Sequence, residues 1–229
     1  MIRALSIVML VIAFCAGVCC QEPSETRKEI WLELDVYVPV NEKFRLFFLV
    51  SETRAEETRR SFETTFGAHV DYTVNKRLVL RNGYRYTFAP GEDDTFQEHR
   101  IVTEQTFRQD LPLAILLSDR NREDWRLVNG NFSFRYRNRL RLEREFRLWG
   151  RSFTPYGSVE AYYDSRFDVW NRNRLTAGME FQLKRGFPLL RELTPRKQVI
   201  LDLYYTKQND SRSQPHHIHA FGASLALHF

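Results

Sequence analysis

Beyond its first twenty residues the chain contains no cysteine: Cys15, Cys19 and Cys20 are the only three it has. A disulfide framework is therefore excluded for the remainder. An exported protein of this kind needs another way to hold itself together, and a closed hydrogen-bonded barrel would do it. Long apolar runs are missing as well. No later stretch offers the roughly 18 uncharged apolar residues that a helical membrane span requires. Heptads, metal-type repeats and internal duplications are also absent. Lysine is scarce, with 6 residues against 28 arginines. A solvated surface would use more lysine, whereas arginine's planar fork suits fixed, bidentate pairing with carboxylates. The imbalance points to an internal network of Arg with Asp and Glu.

The exception to the apolar shortage is the N-terminal segment MIRALSIVMLVIAFCAGVCCQ. Arg3 supplies a short basic start, residues 4–18 an apolar run, and small residues lead to Gln21. That is the layout of a secretory signal peptide, too short and too poorly flanked for a good membrane anchor. The chain then divides into a leader, residues 1–20, and a single domain, residues 21–229, with cleavage near 19–21. About 209 residues is one domain's worth. Lipidation would call for Leu-x-Gly/Ala before the modified cysteine, and neither Cys19 nor Cys20 has that context.

The stretch 134–149, FRYRNRLRLEREFRLW, shows how the domain is built. Taken with period two, one face carries Phe134, Tyr136, Asn138, Leu140 and Leu142, the other Arg135, Arg137, Arg139, Arg141, Glu143 and Glu145. A strand points successive side chains to opposite sides. In a soluble sandwich the charged face would meet water. In an outer-membrane barrel the apolar face meets lipid and the charged face lines the lumen. Similar alternation recurs at 30–38, 44–53, 62–72, 78–88, 96–108, 113–125, 156–164, 169–183, 199–205 and 219–229. In the second of these, Phe47 and Leu49 blur an apolar face made by Phe44, Leu46, Phe48 and Val50. In 169–183 the apolar side starts at Val169 and resumes at Leu175. Turn and loop signals at 39–42, 74–76, 90–94, 110–112, 129–131, 150–155, 184–196 and 208–215 separate the runs.

Eleven candidate strands result, most close to the roughly 9–11 residues a tilted strand needs to cross a bilayer. Single-chain bacterial barrels have even strand numbers, which implies ten or twelve. The fold class expected is all-β: an antiparallel up-and-down transmembrane β-barrel of 10–12 strands with a charged, Arg/Glu-rich lumen. The mean hydropathy of −0.47 is compatible with this, because lipid-facing and lumen-facing residues average out. An aromatic content of 14% would supply girdles at both interfaces.

The polar positions of these strands give the candidate lumen network. It comprises Glu98, Arg100 and Glu104; Arg120 and Arg122; Arg135, Arg137, Arg139, Arg141 and Glu143; Glu160; and Arg172, Arg174 and Glu180. Arg interleaved with aromatics also makes nucleic-acid surfaces. Acidic residues on the same faces argue for mutual pairing and against a nucleic-acid partner, since an unpaired charge in a narrow lumen is costly. A filled lumen conducts nothing, and one with a gap favours anions. At the other end of the argument stand Phe221, Leu225, Leu227 and Phe229, one face of a last strand that ends the chain on an aromatic. They resemble the signal read by the outer-membrane assembly machinery. That machinery, outer-membrane lipid and lipopolysaccharide are the expected partners.

Signals for other chemistry are thin. Residues 216–219, HHIH, place His217 and His219 on one strand face, which makes two ligands and an incomplete metal site. Ser61 or Ser158 with His69 or His99, or Asp71 with His69, are the conceivable catalytic groupings, and local sequence singles out none. No catalytic residue, metal or cofactor is assigned.

Several of these residues together resemble an uncharacterised outer-membrane barrel family, domain of unknown function 2490, over most of the mature chain. Trp31 opens the first strand, and Glu98 and Arg100 lie in an acidic-basic strand. The run Arg120, Asn121, Arg122, Glu123 leads to Arg126, with Asp124 where the pattern has an aromatic. The ladder Phe134, Arg135, Tyr136, Arg137, Asn138, Arg139 and the later Arg172, Asn173, Arg174 complete the likeness. It implies fold and location and supplies no site residues.

The resulting expectation is an integral outer-membrane barrel of a Gram-negative bacterium, exported through a cleaved signal peptide. Its role would be structural or that of a narrow, anion-leaning pore. Two alternatives use the same residues: a membrane-embedded hydrolase acting on lipid or peptide, and a soluble periplasmic β-protein that binds an acidic ligand.

Overall fold

A computed structural model of the chain describes residues 26–55, 62–90, 95–148, 150–183 and 198–229. The expected leader, Ser61, Trp149 and the connection at 184–196 lie outside them. The described residues form strands β1 (Thr26–Pro39), β2 (Phe44–Ala55), β3 (Phe62–Thr73), β4 (Leu78–Ala89), β5 (Phe96–Leu111), β6 (Ile115–Val128), β7 (Asn131–Arg144), β8 (Phe146–Leu148), β9 (Arg151–Asp164), β10 (Val169–Leu183), β11 (Val199–Asp210) and β12 (His217–His228). A single 3-10 turn, Pro112–Ala114, joins β5 to β6. No described helix is long and apolar enough to cross a membrane.

The short β8 continues the β7–β9 ladder in the same register, with Glu143 opposite Tyr156 and Phe146 opposite Phe153. Eleven long strands therefore make the wall, one for each alternating stretch of the sequence. The ring closes through β9–β10 and β12–β1. The expectation of ten or twelve strands is corrected here. Strands that alternate in direction cannot close an odd ring without one like-directed pair. That pair is β1–β12, parallel from Thr26 opposite His217 to Tyr37 opposite His228. Every other neighbouring pair is antiparallel.

Local chemistry explains the turns. Asn129 and Gly130, at φ 46° and 83°, form a two-residue hairpin between β6 and β7, where positive φ matches the strand twist. The Oδ1 of Asn41 accepts from the N–H of Lys43 and Phe44, and that of Asn75 from Arg77 and Leu78. The break expected at 150–155 is not one: β9 begins at Arg151 and contains Pro155. The residue missing a ladder donor sits beside the gap between β7 and β8, where no partner residue is paired with it on that side.

The interior is polar and the exterior apolar. Among the described residues 19 polar or charged side chains are buried against 7 apolar ones, while Ile101, Phe132, Trp170 and Phe221 are each more than half exposed. Two details depart from strict alternation. Phe47 and Leu49 point inward and are 2% exposed, although Phe48 and Val50 on the same strand face outward. Phe47 stacks on Tyr37 and His69, ring centroids 4.7 and 5.1 Å apart, and Arg81 lies 3.9 Å over its face. A bulge at Asn171 shifts the phase of β10, so Val169 pairs with inward Asp164 and Trp170 takes the outer face.

Ring side chains lie flat along the inner wall where a neighbouring strand offers glycine. A Cβ added at Gly222 would meet Tyr204 Cζ at 2.0 Å, and one at Gly178 would meet Tyr156 at 2.6 Å. By contrast, nothing lies within 4 Å of a Cβ at Gly157. Gly222→Val is expected to lower the urea-unfolding stability of the folded barrel by about 1–3 kcal/mol through overpacking. Gly157→Val should leave it unchanged, and equal midpoints for the two variants would contradict the ring-on-glycine packing.

Candidate functional site

The inward positions of β3–β7 and β9–β11 place acids where two or three guanidinium groups converge. Glu98 accepts from Arg126 Nε and Nη2 at 2.6 and 3.0 Å and from Arg100 Nε at 2.7 Å. Asp164 receives Arg135 at 3.1 Å, Arg166 at 2.8 Å and Arg126 at 3.4 Å. Asp124 holds Arg122 at 2.7 Å and Arg137 at 3.1 Å. Asp210 accepts from Arg172 Nε at 2.7 Å and from Asn171 at 3.1 Å. Asp71, opposite Arg45 on one side and Arg81 on the other, binds both at 2.6 Å. At the level of the β6–β7 and β9–β10 turns, Glu98, Arg126, Arg135, Asp164 and Asp210 are all buried. Among the described residues, that level of the barrel carries a cluster of buried, mutually paired charged side chains.

Toward the opposite rim, where β1 meets β2 and β5 meets β6, lies a cavity of about 590 Å³. Ten arginines and seven carboxylates line it, unevenly distributed. The wall made by β4–β7 contributes eight of the arginines and only Glu104 and Glu143. The facing wall, β9–β12 with β1, contributes five carboxylates and only Arg174.

Most of the residues expected from sequence meet in this lumen. Glu160 holds Arg120 at 2.9 Å and Arg174 at 3.7 Å, and Glu104 lies 3.7 Å from Arg120. Arg141 bridges Glu143 and Glu180, each at 2.5 Å. Arg139 lines the cavity with no carboxylate oxygen within 4.0 Å among the described residues. What the sequence reading omitted were the aspartates, Asp71, Asp124, Asp164 and Asp210, together with Arg81 and Arg126. Strand phase puts Asp71, Arg81, Asp124, Arg126 and Asp164 on the polar faces, although the candidate network left them out, and Asp210 falls in the loop expected at 208–215.

The conceivable catalytic groupings are not assembled. His69 is buried against Phe47, and its Nε2 accepts from Arg85 Nε at 3.1 Å. Asp71 is taken by its two arginines. His99 is engaged by the Tyr84 hydroxyl at 2.6 Å, and no hydrogen bond joins Ser158 to a histidine. In the HHIH segment, His216 bonds the Asp210 carbonyl, His217 the Asn209 side chain, and His219 the Tyr205 hydroxyl. No group of three or more His, Cys, Asp and Glu placed to hold a metal occurs among the described residues.

Breaking one partner of a buried, shared ion pair is costly, because the remaining cations stay buried without their counter-charge. Glu98→Gln is expected to destabilise the barrel by about 3–5 kcal/mol, read from unfolding in detergent and urea. The exposed pair Arg147–Glu145, with Arg147 79% exposed, should be silent when Arg147 becomes Gln. Equal responses of the two variants would remove the network's structural role.

No curated protein matches the chain. Among solved structures, LpxR from Salmonella typhimurium is similar, with 10% sequence identity and a TM-score of 0.47, over 80% of this chain and 83% of that one. The profile of a family described as "Protein of unknown function (DUF2490)" matches residues 28–218, which takes in the arginine ladder and nine of the eleven long strands entirely. The chain belongs to the DUF2490 family.

Proposed function

We propose that this is an integral outer-membrane barrel whose lumen is sealed over half its length by its own ion pairs, so that its role is structural or receptive and it is not an open pore. The observation that carries the reading is the inverted distribution of polarity. Apolar side chains such as Ile30, Leu32, Leu34, Phe48, Val50, Phe66, Ile101 and Trp125 stand exposed around the wall, while charged residues are buried inside. A contiguous apolar exterior needs a cover, and lipid supplies it where backbone polarity is already satisfied by a closed sheet. Phe221, on the last strand, is 67% exposed, in keeping with a lipid-facing, assembly-competent C-terminal strand. Export through a cleaved leader and recognition by the assembly machinery belong to the same proposal.

An anion-leaning leak is the second reading, favoured by the arginine surplus of the cavity. The hydrolase alternative has no assembled nucleophile or base behind it.

Fractionation and gel mobility test the location. The mature protein should be found in the outer-membrane fraction and shift on boiling, as closed barrels do. Solubility without detergent would overturn the reading. In planar bilayers the native protein should show no steady conductance, and the double variant Glu98→Ala, Arg126→Ala should open an anion-preferring one. A steady conductance of the native protein would replace the sealed lumen with the leak.

A further inference from the structure

We infer that the cavity is a binding site for a small phosphorylated compound whose other end carries hydroxyl or ammonium donors. The phosphate side is built by β6 and β7. Arg120 stands directly opposite Arg139, and Arg122 opposite Arg137, giving four guanidinium groups on adjacent strands. Like charges directly opposite one another destabilise a sheet unless something neutralises them. The carboxylates near the quartet are Glu104, Asp124 and Glu160, and Arg174 also draws on Glu160. Arg139 has no carboxylate oxygen within 4.0 Å among the described residues, nor has Arg85, whose guanidinium contacts His69.

The donor surplus also shows atom by atom. Arg120 Nε, Arg122 Nη2, Arg137 Nε and Arg139 Nε are buried nitrogens with no hydrogen-bond acceptor, against two buried oxygens without a donor on the same wall, Glu104 Oε2 and Asp124 Oδ2. These nitrogens are themselves covered. What they leave for a ligand is uncompensated positive charge on the side chains lining the cavity. A doubly charged tetrahedral oxyanion matches it, because guanidinium forks bind phosphate oxygens in pairs.

The facing wall has the complementary surplus. Asp35 Oδ1 and Asp202 Oδ1 are buried acceptors without a donor, and Glu33 lines the same side. A bare anion would leave that wall unsatisfied, and a hydroxyl- or ammonium-bearing phosphoester would serve both. At about 590 Å³ the cavity is within the size range of small-molecule sites. The inference rests on the proposed function only in taking these residues to face a lumen sealed at its far half. It does not require the surrounding membrane.

Such a phosphate belongs either to a free solute or to a lipid headgroup. Calorimetric titration of the full-length barrel in detergent at low salt tests both, with glycerol 3-phosphate, phosphoethanolamine, inorganic phosphate and dihexanoyl phosphatidic acid as probes. Saturable binding of the first two, tighter than inorganic phosphate, is expected. Binding of phosphatidic acid alone would assign the same chemistry to a lipid headgroup. Arg139→Gln breaks no ion pair and should weaken binding at least about tenfold, the effect of losing charged hydrogen bonds. Asp202→Asn should weaken phosphoethanolamine more than inorganic phosphate. Retention of the boiling-dependent gel shift shows that each variant is still a barrel. No saturable binding of any probe at millimolar concentration would overturn the site while leaving the sealed-barrel reading standing. So would unchanged affinity in both Arg139→Gln and Arg85→Gln.

Discussion

Closure of the sheet is the constraint on which everything else depends. Eleven strands joined in sequence order reverse direction ten times, so the first and last run the same way and must pair in parallel. Parallel ladders are slightly weaker per residue than antiparallel ones. The seam nevertheless runs for twelve consecutive residue pairs, as long as the β4–β5 and β10–β11 ladders. It also shapes the lumen. Facing inward on β12 are Ala220, Gly222, Ser224 and Ala226, and beside them on β1 are Glu29, Trp31, Glu33 and Asp35. Small residues on one strand make room for large ones on the next: Tyr204 lies over Gly222, and Trp31 has space to receive the Arg174 guanidinium 4.6 Å from its ring.

A polar interior raises the question of how charge is tolerated where a soluble protein would put leucine. The division of labour between residue types answers it. Aspartate is short, so its carboxylate stays near the wall. Arginine is long and planar, so guanidinium groups from neighbouring strands reach a common carboxylate with directed hydrogen bonds. Asp71 between Arg45 and Arg81, and Asp164 among Arg126, Arg135 and Arg166, are built in this way. Lysine would supply a point charge with no fork, which accounts for its scarcity. An ion pair of this kind is weak evidence of net stabilisation, because desolvation offsets attraction. Its firm consequence is that no member can be removed alone.

Much of this was legible from the chain. Strict period two located all eleven wall strands, and strand phase put Arg135, Arg137, Arg139 and Arg141 on the inner face. The even-number rule then misled, because it generalises from other barrels and says nothing about pairing energies at this seam. Phe47 and Leu49 escaped the pattern for a physical reason: hydrophobicity alone does not tell an outward apolar residue from an inward one packed against Tyr37 and His69. The phase slip at Asn171 was invisible because a bulge is a property of the ladder. The aspartate hubs were passed over in favour of the glutamates, although the same alternation contained both. The cavity could not be read at all, since it depends on which side chains meet across the ring.

The sign asymmetry of that cavity nevertheless has its origin in sequence order. In an up-and-down barrel, neighbours along the chain are neighbours around the ring, so a cluster of like residues in sequence becomes one side of the lumen. Arginines concentrate between residues 77 and 147, which build β4–β8. Strands β11, β12 and β1 bring Asp202, Glu33 and Asp35 to the opposite side with few arginines among them. The far half escapes this segregation because Glu98 and Asp124 lie within the arginine arc and Asp164, on β9, stands opposite Arg135 at its edge, so that they consume its charge in place. Toward the open rim, Ser118, Ser158, Thr176 and Ala226 are too small to fill the space and too short to bridge it. Arg120–Glu160 and Arg141–Glu180 join the two walls in part, and the remaining arginines and acids are held apart, so that an electric field persists across the cavity.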